Sequence, residues 1–265
     1  MAIQKNGSKL SGKVGNKVYA NQNGQTVVKE LSKKKYELSE ASVRSGNDLA
    51  EASKHSKKVR TAFADMVEEY GDNGLHYRLN ARFYDVIRPL PKIKQGEKKV
   101  QDGDFSQLLN FQFNKHCRLD SLLFKIPKVD IDLKGALVID FQADKNEGAR
   151  TVATGFNQVM LQLSILKYDF RTEYSSLMTM GNLIGRTLPS AKKKLELDLK
   201  GDLLLIVVTG IQYLVDGARS YSRERQAAAI THVFRLRDGQ PVVFKSVVEA
   251  VEEKVTEKNV IAWDE

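Results

Sequence analysis

The sequence predicts an α+β protein that is mainly β: an antiparallel β-sandwich body preceded by a basic N-terminal arm with a β-hairpin and by an αα-hairpin. Three observations predict it. Lysine and glycine set residues 1–35 apart, apolar spacings of three and four occupy 36–92, and short alternating segments divided by turn residues fill 93–265. No helical pattern separates successive strands in that last region, which favours a sandwich, with a closed barrel as the alternative. With 42% hydrophobic and 28% charged residues, the 265-residue chain can bury a sizeable core.

The opening stretch, MAIQKNGSKLSGKVGNKVYANQNGQTVVKELSKKK, carries Lys5, Lys9, Lys13, Lys17, Lys29, Lys33, Lys34 and Lys35 against the single acid Glu30. Most of the chain's net charge of +9 therefore lies in its first 35 residues, and the remainder is close to neutral. A basic end on a near-neutral body implies a segment with its own partner. Gly7, Gly12, Gly15 and Gly24 exclude a helix, and a period of two places Leu10, Val14 and Val18 on one face with Lys9, Lys13, Lys17 and Tyr19 on the other. Asn23-Gly24 predicts a two-residue hairpin turn that sets Tyr19 against Val28 and Lys17 against Glu30. The same register sets Lys13 against Lys34, a like-charge pair, so pairing is expected only over 17–30, with the glycine-rich lead as an extended arm.

From Glu37 the stripe Leu38, Ser42, Ser45, Leu49, Ala52, Ser56, Val59, Phe63, Met66 and Tyr70 predicts helix up to Gly71, either one helix or two divided at Gly46. After Gly71-Asp72-Asn73-Gly74, a second helix places Leu75, Leu79, Phe83 and Val86 or Ile87 on a common side and stops at Pro89 and Pro91. Together they predict an αα-hairpin.

Beyond residue 93, KIKQGEKKVQDGDF is turn-rich, and LLNFQFN and DSLLFKI then read as strands. VDIDLKG directs Val129, Ile131 and Leu133 inward and Asp130 and Asp132 outward, and ALVIDF and VMLQLSI continue the strand pattern. Two hairpins are expected: LELDLKGDLLLIVV turned at Gly201-Asp202, with Leu195, Leu197 and Leu199 on one face, and HVFRLRDGQPVVF turned at Asp238-Gly239. The segment 246–258 is balanced between helix and strand, and Trp263 is expected to tuck the tail onto the body.

No phosphate loop, dinucleotide fingerprint, nucleophile elbow or zinc spacing occurs, so no catalytic residue, metal or cofactor is assigned. GNLIGRT at 181–187 lacks the Lys-Ser/Thr ending of a nucleotide loop and reads as a surface turn. His55, His76, His116 and His232 stand in different elements, and Cys117 is the one cysteine, read as a buried thiol and not as a dyad with His116. Asp130 with Asp132, and Asp102 with Asp104, have carboxylate spacings suited to calcium or to glycoside cleavage, but a polar strand face and a turn explain them first. Arg219, Arg223, Arg225, Arg235 and Arg237, with Tyr221 and Phe234, form a second basic group that reads first as a solvated face.

The run Gly12-Lys13-Val14-Gly15-Asn16, then Tyr19, Asn23-Gly24 and Val27-Val28-Lys29, resembles the opening of a family of uncharacterised proteins encoded in Bacteroidetes genomes and their prophages. The run from Val100 through Gly103-Asp104-Phe105 to Phe111-Gln112-Phe113-Asn114 is similar to the motif entering the β part of such proteins. The resemblance implies a phage or prophage setting and a particle component, with no catalytic residues.

The leading expectation is a non-enzymatic structural or interaction protein whose arm lysines meet a protein partner or a second copy, with Gly7, Gly12, Gly15, Asn23 and Gly24 shaping the arm and hairpin. The alternatives are a non-specific nucleic-acid tail using the same lysines, and, last, a sandwich hydrolase. No apolar run reaches the roughly 20 residues of a membrane-spanning helix. MAIQKNGSKL lacks a secretory apolar stretch, so the expected location is the cytoplasm or an assembled virion.

Overall fold

The computed structural model describes residues 2–5, 9–22, 25–31, 37–123, 125–132, 135–141, 155–185, 191–219, 222 and 224–244. The Asn23-Gly24 turn, Gly7, Lys33, Lys34, Lys35, Tyr221, Arg223, the 246–258 segment and Trp263 lie outside the described residues. The chain divides into two compact units, Met1–Val43 and Arg44–Glu265.

In the first unit, β1 (Ala2–Lys5), β2 (Lys9–Val14), β3 (Lys17–Gln22) and β4 (Gln25–Glu30) form one antiparallel sheet in sequence order. The expected register of β3 on β4 is present, with Lys17 opposite Glu30 and Tyr19 opposite Val28. The lead before it is not an extended arm. It folds back at Gly15-Asn16, where Gly15 has φ +56°, and pairs Val14 with Lys17, Lys13 with Val18 and Gly12 with Tyr19. This turn also corrects the expected faces: partners in a ladder share a face, so Val14 lies with Lys17 and Tyr19, whereas Lys13 lies with Val18 and Lys29.

The second unit has three layers. Its centre is a six-stranded sheet ordered β13-β12-β10-β7-β8, with β11 paired to the end of β10; the members are β7 (Gln158–Asp169), β8 (Ser175–Gly185), β10 (Asp202–Val215), β11 (Ala218–Arg219), β12 (Gln226–Arg237) and β13 (Gln240–Pro241). On one face lies a three-stranded sheet of β5 (Lys128–Ile131), β6 (Ala136–Phe141) and β9 (Ala191–Glu196), whose Val129, Leu137, Ile139 and Phe141 pack with Leu161, Leu163, Ile165, Val207 and Ile211. The two sheets make the antiparallel sandwich.

Helices cover the other face of the six-stranded sheet and form the third layer of the body. α1 (Glu40–Ala62), α2 (Ala64–Tyr70) and α3 (Leu75–Ile87) send Val59, Phe63, Met66, Tyr70, Leu79, Phe83 and Ile87 into a core with Leu166, Tyr168, Leu204, Ile206 and Val208. α1 starts at Ser39, whose hydroxyl accepts from the Ser42 N–H at 3.3 Å. Gly46 does not divide the helix; the break falls at Phe63, with φ −93° and ψ 27°. The first half of the stripe also drifts: Leu38 and Leu49 are exposed, and Asp48 is buried because its Oδ1 accepts the Gly96 and Lys98 N–H groups at 2.9 and 3.3 Å.

Two strand expectations fail between 100 and 123. Residues Phe105–Leu108 form a 3₁₀ turn and Leu119–Leu122 a short helix, α4, and the run Asn110–Phe113 bonds to the sheet through the bridge of Gln112 to Ala229 and flanking backbone bonds to β12. Nor does Gly201-Asp202 turn a hairpin: β9 pairs with β6 in one sheet and β10 with β7 and β12 in the other. The Asp238-Gly239 hairpin is present, pairing Arg237 with Gln240. GNLIGRT is no surface turn over its described part, since Gly181–Gly185 end strand β8.

β10 is buried from Asp202 to Leu214. Its odd residues face the sandwich core and its even residues face the helices, and β12 follows it with one adjustment: Thr231 is an extra residue between the pairs Val207–His232 and Val208–Ile230. That bulge switches the parity of β12, so Ala227 and Ala229 face the sandwich core before it and Phe234 does after it.

Gly210, the β10 residue between Gln162 and Ala228, makes room for α2. A Cβ placed there would stand 3.0 Å from the Tyr70 ring and 3.2 Å from the Met66 methyl. Gly210→Ala is therefore expected to destabilise the body by about 1–3 kcal/mol, read as a lower urea midpoint, and Tyr70→Leu in the same chain should recover part of the loss.

Candidate functional site

The N-terminal sheet gathers the residues that the sequence marks for binding. Gly15 opens its central turn, and Gly12, at φ +120° within β2, takes a backbone conformation that side-chain-bearing residues avoid. Gly12 stands opposite Tyr19, and Tyr19 opposite Val28, which makes one row across three strands; Lys13, Val18 and Lys29 make a second row on the opposite face. Lys13 and Lys29 thus flank one valine, and strand spacing puts them about 10 Å apart. Lys5 and Lys9 are register partners in β1 and β2. Lys17 is different from the other lysines, because its cross-strand partner is Glu30.

None of the described side chains from Ser11 to Val43 is buried. Val14 is 51% and Val28 49% exposed. The sequence pointed to the lysines but not to these valines, because the face assignment depended on a turn at Gly15-Asn16 that shifts the alternation. A sheet with no buried side chain among those described has backbone pairing as its main support there, a marginal state for isolated strands.

The body holds several polar clusters, and each has a structural role. Asp202 and Arg235 form a buried ion pair at 2.7 Å, with side chains 9% and 6% exposed; Arg235 also donates to the Leu203, Leu236 and Gln101 carbonyls and lies over the Phe170 ring. Arg219 pairs with Glu69 at 2.8 Å, Arg237 with Asp202 at 3.4 Å, and Arg225 lies over Phe156. The second basic group is therefore not a solvated face throughout: Arg235 is in the core and its neighbours are dispersed onto carboxylates and a ring. Asp72 accepts from Gly74 N–H, Lys115 N–H and Arg78, and although burial opposes ionisation these bonds hold its carboxyl below the usual range.

One member of each carboxylate pair has a structural role. Asp132 accepts the Ala136 N–H at 2.8 Å and pairs with Lys194 at 2.6 Å, while Asp130 is exposed. Asp104 caps the Phe105–Leu108 turn through Ser106 and Gln107. Cys117 is buried, its thiol donating to the Glu224 carbonyl at 3.4 Å, and burial pushes its pKa up, while His116 is exposed. Among the described residues, no group of three or more His, Cys, Asp or Glu stands close enough to hold a metal ion, and no helix is long and apolar enough to cross a membrane.

His55 is a satisfied histidine: its Nδ1 lies 3.0 Å from the Tyr168 hydroxyl and its Nε2 3.5 Å from Glu51. Burial lowers the imidazole pKa, against the opposing pull of Glu51, and burial raises that of the phenol. Beside them Lys54 and Lys58 both bind Glu173 at the β7–β8 turn, which holds that carboxyl at about 2. The arrangement ties α1 to the sheet. No family model, no curated protein and no solved structure matches the chain.

Two outcomes follow for stability. Asp202→Asn leaves Arg235 buried without its counter-charge and is expected to cost about 3–5 kcal/mol, read by denaturant unfolding. His55 and His232 both have pKa values lowered by burial. Below the free imidazole pKa of about 6.5, the unfolded chain then binds protons that the native protein does not, so stability falls as pH drops from neutral. Urea midpoints measured between neutral and mildly acidic pH should show this decline, and His55→Gln should make it shallower.

Proposed function

We propose that this is a non-enzymatic structural or interaction protein that docks through its lysine-rich N-terminal sheet, on a protein partner or on further copies of itself, inside a cell or in an assembled phage or prophage particle. The observation that carries the reading is a single-layer sheet with no buried side chain among those described, bearing Lys13 and Lys29 on one face and exposed Val14 and Val28 on the other. Such a sheet gains most when a partner covers an apolar face or extends an edge by strand pairing. The motif resemblance at residues 12–29 supports the particle setting.

The test compares the full chain with a chain beginning at Tyr36, by size-exclusion chromatography with light scattering at low and high salt. The full chain is expected to reach a defined assembly that the shortened, still folded chain does not. Equal molar masses for the two overturn the self-assembly form of the reading.

A second reading gives the Lys13–Val18–Lys29 row and the Lys5–Lys9 pair to nucleic-acid phosphates. It requires affinity for duplex DNA or RNA that falls steeply with salt. Weak binding that ignores salt removes it.

A further inference from the structure

Sheet edges expose unpaired backbone groups, and most edges here are blunted. β13 is two residues long and contains Pro241; β5 is four residues with Lys128 and Asp130; β9 carries Lys192, Lys193, Lys194 and Glu196. In the N-terminal sheet β1 has four residues, and β4 carries Lys29 and Glu30. Shortness, proline and charge are three devices that hinder a foreign strand from adding on, and a bulge is a fourth.

β8 has none of the first three; it carries only a bulge at its middle. It is eleven residues long, SSLMTMGNLIG, without a charge or a proline, in a chain that is 28% charged. Among the described residues it pairs only with β7, and it ends the order of the six-stranded sheet. Its register on β7 shifts between Leu161 and Leu163, which leaves Gly181 and Asn182 opposite Gln162. Met178, Met180 and Leu183 consequently share the face packed on the sandwich core. Leu177 and Ile184, one on each side of the shift, are 37% and 53% exposed on the opposite face.

We propose that β8 is a self-pairing edge, through which two copies of this chain join their six-stranded sheets by antiparallel β8–β8 pairing about a two-fold axis. The choice of a second copy rests on charge and on sidedness. In a two-fold pair each strand faces its own sequence, so a strand such as β9 would oppose lysine with lysine, whereas β8 brings no like charges together. Because the register shift lies at the middle of the strand, pairing centred on it sets Leu177 opposite Ile184 and Met178 opposite Leu183 with matching faces. Among the described residues each chain has one such edge, so the pairing closes at a dimer. The inference is separate from the N-terminal reading, and every change that tests it is made in the full chain at β8.

The experiment uses two variants of the full chain, Leu177→Lys with Ile184→Lys, and Leu177→Glu with Ile184→Glu. Both positions are exposed, and far-UV circular dichroism with a melting curve verifies that each variant folds. Sedimentation velocity over a concentration series measures association of the wild type, of each variant, and of the two mixed. The wild type is expected to contain a two-copy species, each variant alone to associate about tenfold more weakly or less, and the mixture to recover the two-copy species. A wild type with no two-copy association overturns the proposal. So does one whose association is unchanged in both variants, or one that grows open-ended. As a second measurement, Leu177→Cys with Ile184→Cys should give a covalent dimer under mild oxidation, and failure to cross-link while the wild type dimerises overturns the antiparallel register.

Discussion

The body depends on one constraint: a central strand with two apolar faces. β10 buries every residue from Asp202 to Leu214, and a strand of that kind is stable only when both sides of its sheet are covered. The three-stranded sheet covers one side and α1 to α3 the other. Each layer supplies side chains that match the alternation of β10, large where it is small. Tyr70 and Met66 fill the space over Gly210, and the alanines at 227–229 let β12 sit between two cores. The extra residue Thr231 switches the alternation, so that beyond it Phe234 and Leu236 lie on the sandwich side and Val233 on the helix side.

The charged groups in this interior have partners, whereas the Ser56 hydroxyl is buried without one. Asp202 and Arg235 stand together near one end of the central sheet, and the guanidinium completes its bonding on carbonyls of β10, β12 and the 100–102 turn. Asp48 and Asp72 each fix a loop by accepting backbone N–H groups, and His55 meets the Tyr168 hydroxyl. Leaving any of these groups unpaired would cost more than a net hydrogen bond contributes, so they act as constraints on register and loop path. The same chemistry in a cleft would suggest catalysis; here the groups are turned into the packing.

The N-terminal sheet obeys the opposite rule. Its strands alternate small, polar and basic residues, no described side chain in it is buried, and its glycines at 12 and 15 serve backbone conformation. It has the area to meet a partner and little apolar content to fold around. β8 repeats the contrast inside the body, since it has the apolar content of a paired strand without the charges that protect an edge.

Sequence alone determined the elements whose signal is local. The Lys17–Glu30 and Tyr19–Val28 pairs, the α3 stripe, the alternation of β5 to β7 and the Asp238-Gly239 hairpin all follow from turn chemistry and periodicity over a few residues. The charge asymmetry is likewise composition. Tertiary structure decided what depends on a distant partner. Leu108, Phe111, Phe113 and Leu122 lie in turns, irregular chain and a short helix along the core and not in strands, because short apolar runs have no preferred period and the neighbouring layer chooses. β9 and β10, adjacent in the chain, went to different sheets for the same reason. The faces of the N-terminal sheet turned on a single fold-back at Gly15-Asn16, and since strand side chains alternate with a period of two, one residue of register decides which side every lysine occupies.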